Sequence, residues 1–522
     1  MHQRFFAFLS TFFFLLMGQT IPAAAQESTR IEIVNASEMS YDKDNNGDVR
    51  KLVGNVEFKH KGARLFCDSA YQHIDQNNMD AYGHVRIIQG DSLTLTGKRL
   101  FYEDDKQLAT IYDEVVMKDK KTTLTTDQMV YDMQTNVASY THHARIVDGQ
   151  NTLTSRYGYY YSKSHDLYFK SDVVLLNPKY EMKGDTLRYN TTNSTAYFLG
   201  PTTIRSDSNL IYCEQGWYNT ETQISAFSSN AYLKTKTQVL KGDRIYYDRM
   251  KGYGRADGNV TITDSVNQVI IGGDYAEHYE KTDSSFATGH AIMTQIFDGD
   301  SLFLHGDTLM AVSEKGDTSR KTNKHTLFAF HDVKIFKSDL QGSCDSLVYD
   351  YRDSTIRLFT NPVLWSGLNQ LTADSITIQV AHSKIDRIYL VNSAFMASRA
   401  DSLQEGTLDS LRFNQIRGKI MTGYFSENKL YKIFVEGNGQ TIYYGKNKND
   451  QMFGVNRAEC SNLMIYVKEN KVQGVTLINK PDATFYPIHE LSTRELRLKG
   501  FHWLDEKRPD KKEDIFNNRI SK

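Results

Sequence analysis

The sequence predicts an all-β fold, an elongated antiparallel stack of two-strand repeats of about 29 residues with a smaller β unit near the C-terminus. Three observations carry this. Tyr102, Tyr131, Tyr160, Tyr189, Tyr218 and Tyr247 recur at a strict spacing of 29 residues. Apolar and polar residues alternate with period two inside each repeat, and no helical stripe persists. Tyr is abundant (32) and Pro scarce (7), a balance that favours strands over disordered chain. So strict a period means one unit stacked on copies of itself. Such an array builds a long surface more readily than a single catalytic centre.

From the N-terminus, Arg4 precedes an apolar run from Phe5 to Met17, and Ala23, Ala24 and Ala25 provide a site for cleavage before Gln26. Residues 1–25 therefore read as a signal peptide. The run is short for a bilayer span, and no later stretch is apolar enough for a transmembrane helix. The chain of 522 residues exceeds one ordinary core, and its net charge of −1 argues against nucleic acid as a partner. Cys67, Cys213 and Cys344 each precede an acidic residue (Asp68, Glu214, Asp345). Equivalent slots several repeats apart lie beyond disulfide reach, so these and Cys460 read as buried free thiols.

Each repeat has two halves. The first alternates as in Val260-Thr261-Ile262-Thr263, with counterparts Val56/Phe58, Val85/Ile87, Val115/Met117, Ala144/Ile146, Val173/Leu175, Thr202/Ile204 and Ala231/Leu233. In the second half, typified by Leu240 to Tyr247, the apolar phase slips, and Gly97, Gly184 and Gly242 sit at or beside the slip. A glycine there predicts a bulge or bend, so that each strand serves two sheet faces. The pairs Gly54-Asn55, Gly83-His84 and Gly258-Asn259 read as strand starts. The pattern continues more loosely through Ala291, Val333, Val363 and Ala394, with an insertion expected around 311–326. Residues 396–418 break the rhythm as a linker, 419–487 form the smaller β unit, and 488–522 form a charged tail that is mobile or partner-bound.

These residues carry a family resemblance. Gly54-Asn55-Val56-Glu57-Phe58, Ala81 to Ile87 and Leu95 to Tyr102, in register behind a signal peptide, resemble the OstA/LptA family, best over roughly 30–275 and weaker to about 400. The resemblance implies an antiparallel β-jellyroll, a V-shaped trough open at both ends. It implies a periplasmic protein, also able to associate with the outer membrane, that carries lipopolysaccharide with its acyl chains shielded in the trough. The implied partners are lipopolysaccharide or lipid A and other transport components with matching jellyroll edges; independently of the resemblance, the open strand edges at both ends of a stack allow end-to-end self-association. The chain is far longer than the small bridging member of that family. It is too short after the repeats for the large barrel of the outer-membrane member.

The candidate lipid groove is lined by Val56, Phe58, Val85, Ile87, Val115, Met117, Ile146, Val173 and Leu175, with Leu93, Leu95, Leu124 and Met182 opposite. Acyl chains entering it would leave water at ~0.8 kcal/mol per buried CH₂. A filled core gives the same pattern, so a structural or adhesive exported β-repeat protein is the main alternative. A third reading is a polysaccharide-active enzyme. Recurrence of Asp127/Tyr131, Asp185/Tyr189 and Asp243/Tyr247 favours a turn or ladder role over an acid/base pair, and no catalytic residue, cofactor or metal is assigned. Asp42, Asp44, Asn46 and Gly47 begin like a calcium loop, but Val53 stands where a Glu is needed. His142 and His143 are adjacent and point to opposite faces of a strand. Gly252, Gly254 and Gly258 lack dinucleotide-site spacing.

Overall fold

The computed structural model describes residues 31–516 except 45–46, 121, 208, 298, 314–324, 382–383, 401–410, 448–450, 470 and 489. The signal peptide, the calcium-loop position Asn46 and most of the expected insertion lie outside the described residues. Those residues form 40 strands and two short 3-10 turns. No helix among them is long and apolar enough to cross a membrane. The chain divides into two compact units, residues 1–149 with 157–163 and residues 150–156 with 164–522.

In the first unit the long strands Gly47–His60, Ala63–His73, Asn78–Gln89, Leu93–Glu103, Leu108–Asp119 and Thr122–Asp132 pair antiparallel in sequence order. Each pairing is interrupted midway by a register shift, for example between Tyr82 and Val85. The shift divides every strand between two arms. On the first arm, cross-strand neighbours form one apolar row: Phe58, Leu65, Ile87, Leu95, Met117, Leu124 and Ile146. On the second, Leu52, Ala70, Ala81, Leu100, Ile111 and Met129 form another. Side chains two apart on a strand share a face, so both rows point into one interior.

The corners are built by pairs of residues in left-handed backbone. Gly54-Asn55 (φ 82° and 49°), Gly83-His84 (75° and 43°) and Asp113-Glu114 (64° and 54°) mark them in the first unit. Ser171-Asp172, Gly258-Asn259, Gly289-His290, His331-Asp332 and Asn392-Ser393 mark them in the second. The sequence reading of such pairs as strand starts is corrected: Gly83-His84 lies inside the continuous strand Asn78–Gln89. Two successive left-handed residues turn the strand without breaking it. The phase slip read at Gly97 and Gly184 is the other side of the same corner. A Cβ on Gly97 would lie 2.5 Å from Ile111 Cγ2, and Gly184 pairs with Val173 beside the corner Ser171-Asp172.

An acidic side chain closes many corners. Asp68 takes a contact of 2.8 Å from His84 Nδ1, Asp274 one of 2.8 Å from His290 Nδ1, and Asp243 accepts from Asn259 Nδ2 at 2.9 Å. The backbone N–H of Asp243 donates to Gly258 O at 2.9 Å, and that of Asp274 to Gly289 O at 2.7 Å. Of the recurring aspartates Asp127, Asp185 and Asp243, the last takes the expected turn role here. The thiols beside such acids, Cys67, Cys213 and Cys344, are buried and free, as is Cys460.

The second unit repeats the plan. Its first-arm row runs through Leu175, Met182, Ile204, Ile211, Leu233, Leu240, Ile262, Ile271, Met293, Leu304 and Ile335 to Leu364, Leu371, Met396 and Ile416. Its second-arm row runs from Phe169 and Leu187 through Ile245, Leu309 and Leu347 to Ile376, Leu390, Met421, Val435 and Leu463. Strand pairing continues through the region where the rhythm breaks. Lys384–Arg399 pairs with Phe413–Ser426 on both arms, from Arg387↔Tyr424 to Arg399↔Phe413. Strands Lys429–Lys446 and Met452–Lys468 extend the second-arm row through Val435 and Leu463, while on the first arm Ile416 is followed by Thr441 and Ala458.

The charged tail is packed on its own chain over residues 491–516. It crosses the outer face of the first arm, where three buried glutamines hold it. Gln415 donates to Leu496 O at 2.9 Å and accepts from Leu498 N–H at 2.9 Å. Gln370 does the same with His502 O and Leu504 N–H, each at 2.7 Å. Arg508 donates to Gln341 Oε1 through Nε and Nη2, at 2.9 and 2.6 Å. Phe413 meets Phe501 and Trp503 at ring distances of 5.0 and 4.8 Å.

Candidate functional site

The candidate site is the apolar interior between the arms. All thirteen groove candidates point into it and are buried, none more than 3% exposed. In the first unit Phe58, Ile87, Leu95, Met117, Leu124 and Ile146 are consecutive neighbours along one row through Leu65. Val56, Val85 and Val115 stand one step nearer the corner. Leu93 stands at the mouth end of its strand. In the second unit Val173, Leu175 and Met182 share the first arm. Leu93, Leu95, Leu124 and Met182 are thus on the same arm as the others, next to them and not across from them. Adjacent strands hydrogen-bond side by side, so alternate halves of the repeat cannot face each other. The opposing wall is the second-arm row.

The first unit is closely packed. A cavity of ≈ 30 Å³ remains between Phe58, Leu65 and Ile87 on one arm and Met79, Leu100 and Tyr102 on the other. That is room for about one water. The second unit is more open. A cavity of ≈ 320 Å³ lies between Met293, Leu304, Ile335 and Leu340 on the first arm and Leu347, Tyr349, Ile356, Ile378 and Val380 on the second. This reaches the lower end of the volumes of small-molecule sites, about 300–1,000 Å³.

The cavity wall is apolar and its rim polar, with Asn267, Gln295, Lys337, Asp339, Lys384 and Asn428. Lys337 bridges Asp339 at 2.6 Å and Asp300 at 3.2 Å. Burial works against the lysine charge, but the two carboxylates outweigh it and hold its pKa above the ordinary value. Lys384 pairs with Glu427 across the same rim. An arrangement of apolar walls under a rim of compensated charges suits a molecule with an apolar chain and a polar head.

The sequence reading missed this cavity. Its signal was present in Ala291/Met293 and Val333/Ile335, which repeat the spacing of Val85/Ile87. The alternation does not say which rungs close and which stay apart.

The profile of a family described as OstA-like protein matches residues 28–185 and 185–287. No curated protein matches the chain. Solved structures similar to it include the extracellular domain of a one-component system from B. thetaiotaomicron. It is 8% identical, with 90% of this chain and 100% of that chain covered, at a TM-score of 0.08, too low to carry a structural argument.

Proposed function

Because the chain is a member of the OstA-like protein family, a transport and binding family of the periplasm and cell exterior, we propose that it binds lipopolysaccharide. It would carry the acyl chains between its two arms toward the outer membrane. The observation that carries this reading is the long apolar row on each arm, which continues from strand to strand through the second unit with Gly342 on the first arm and Gly216 on the second as its side-chain gaps. Successive rungs offer an acyl chain nearly equal sites, at ~0.8 kcal/mol per CH₂ buried. Movement among equal sites needs no chemistry, and its direction would come from an energised partner. Lipid A, other transport components with matching sheet edges and a second copy joined end to end are the partners this reading names.

One observation favours a second reading. The first unit's interior is filled, with Leu95 and Met117 fully buried against neighbours. A structural exported repeat protein would look the same there. Mass spectrometry of lipids retained after mild purification separates the two. Lipid A species at a fixed ratio to protein support carriage, and folded protein free of lipid supports the structural reading.

A further inference from the structure

The tyrosine row does more than fill space. Each tyrosine stands at the mouth end of the second arm, and several reach across to the first. Tyr102 lies edge-on to His60 with ring centroids 5.8 Å apart. Asp104 accepts from Tyr102 Oη at 3.3 Å and lies 3.5 Å from His60 Nε2. His60 ends the first-arm half of Gly47–His60, so this contact spans the mouth. The Tyr160 hydroxyl donates to the carboxylate of Asp119, which ends the first-arm half of Leu108–Asp119 and is 4% exposed. In the second unit Tyr218 meets Tyr180, the first residue of Tyr180–Asn190, edge-on at 5.4 Å.

Tyr131 keeps to its own arm, donating to Asn136 Oδ1 at 3.4 Å in the turn after its strand, and Tyr247 does likewise. Tyr247 donates to Glu280 at 2.7 Å, a residue that follows the second-arm half of Val269–Tyr279, and so it stays on its own arm. The seal ends over the same stretch. First-arm positions are buried at Leu175 and Met182, then only half-buried at Ile211, Leu233, Leu240, Ile262 and Ile271. The ≈ 320 Å³ cavity follows, from Met293 onward.

We propose that Tyr102, Tyr160 and Tyr218 of the 29-residue row are latches across the mouth, and that acyl chains exchange sideways only through the unlatched rungs, from Leu233 to Ile271 and the cavity beyond. The exchange half of this inference rests on the lipid reading above. The latch half rests on the cross-arm contacts alone.

The test uses the full-length exported protein and dodecanoate carrying a nitroxide as the probe. Amide hydrogen exchange is followed in the strand ends at Asp119 and Tyr160, and bound probe is counted by its spectrum. Tyr160→Phe and Asp119→Leu should each speed exchange there by about tenfold or more, since each removes the buried hydrogen bond between the tyrosine hydroxyl and the carboxylate. Both should also raise probe uptake, while Tyr247→Phe changes neither. Unchanged exchange in Tyr160→Phe, or equal opening by Tyr247→Phe, would overturn the latches whether or not the probe binds. Exchange that separates the variants with no probe bound by any of them would leave the latches standing and sink sideways lipid exchange.

Discussion

At the residue scale, corners and thiols give the sharpest expectations. A Cβ at Gly83, where φ is +75°, would lie 2.2 Å from Asp68 Oδ2. At Gly90, where φ is +61°, nothing lies within 4 Å. Gly83→Ala should therefore destabilise by about 2–4 kcal/mol and Gly90→Ala by about 1, read from denaturant midpoints. Equal effects would mean that the aspartate can move aside and does not fix the corner. Burial pushes the thiols of Cys67, Cys213 and Cys344 up to about 12. At pH 8 a thiol reagent should label none of the four cysteines of the native protein and all four after unfolding. Burial likewise raises Tyr131 to about 12. A folded pKa above the unfolded one favours the fold below the unfolded value and loses that advantage as pH rises through the folded one. Stability should therefore be level through pH 8 and fall from about pH 9 to 12. Labelling of native thiols at pH 8, or stability that rises above pH 9, would contradict this.

At the element scale, the strands were legible because side-chain alternation is a local rule. Val56/Phe58 and Val85/Ile87 announce an inward face without reference to any partner. The corners were half legible. Gly83-His84 marked a change, but a bend inside one strand and a gap between two strands interrupt alternation identically. The tail was not legible, because its partners are glutamine amides that read backbone, and Gln341, Gln370 and Gln415 look like any polar strand residues. Deleting 488–522 should uncover Phe395, Phe413 and Ile442 and remove buried Leu498 and Ile515. The expected cost is at least about 3 kcal/mol, with new binding of a hydrophobic dye. An unchanged melting temperature and no dye binding would mean that the tail does not hold the outer face.

At the scale of the whole molecule, two long apolar rows in each unit can be read as a filled core or as a track. The sequence pattern is identical for both, because alternation fixes which face is apolar and not how far apart two faces stand. Charged substitution probes the difference. Ile87→Asp or Met117→Asp puts a carboxylate where exposure is now 3% or less, and burial of an unpaired charge is strongly unfavourable. Either variant should lose bound lipid while circular dichroism stays β-rich. Unchanged lipid in a folded variant would remove that stretch from the groove. The most direct measurement places photo-crosslinkers in cells at Ile87, Met117 and Leu304 on the inner rows, with Thr377 on the outer face of the second arm as control. The account predicts lipid A crosslinked at the inner positions and absent at Thr377. Folded protein with no lipid at any inner position, or equal crosslinking at Thr377, would contradict it.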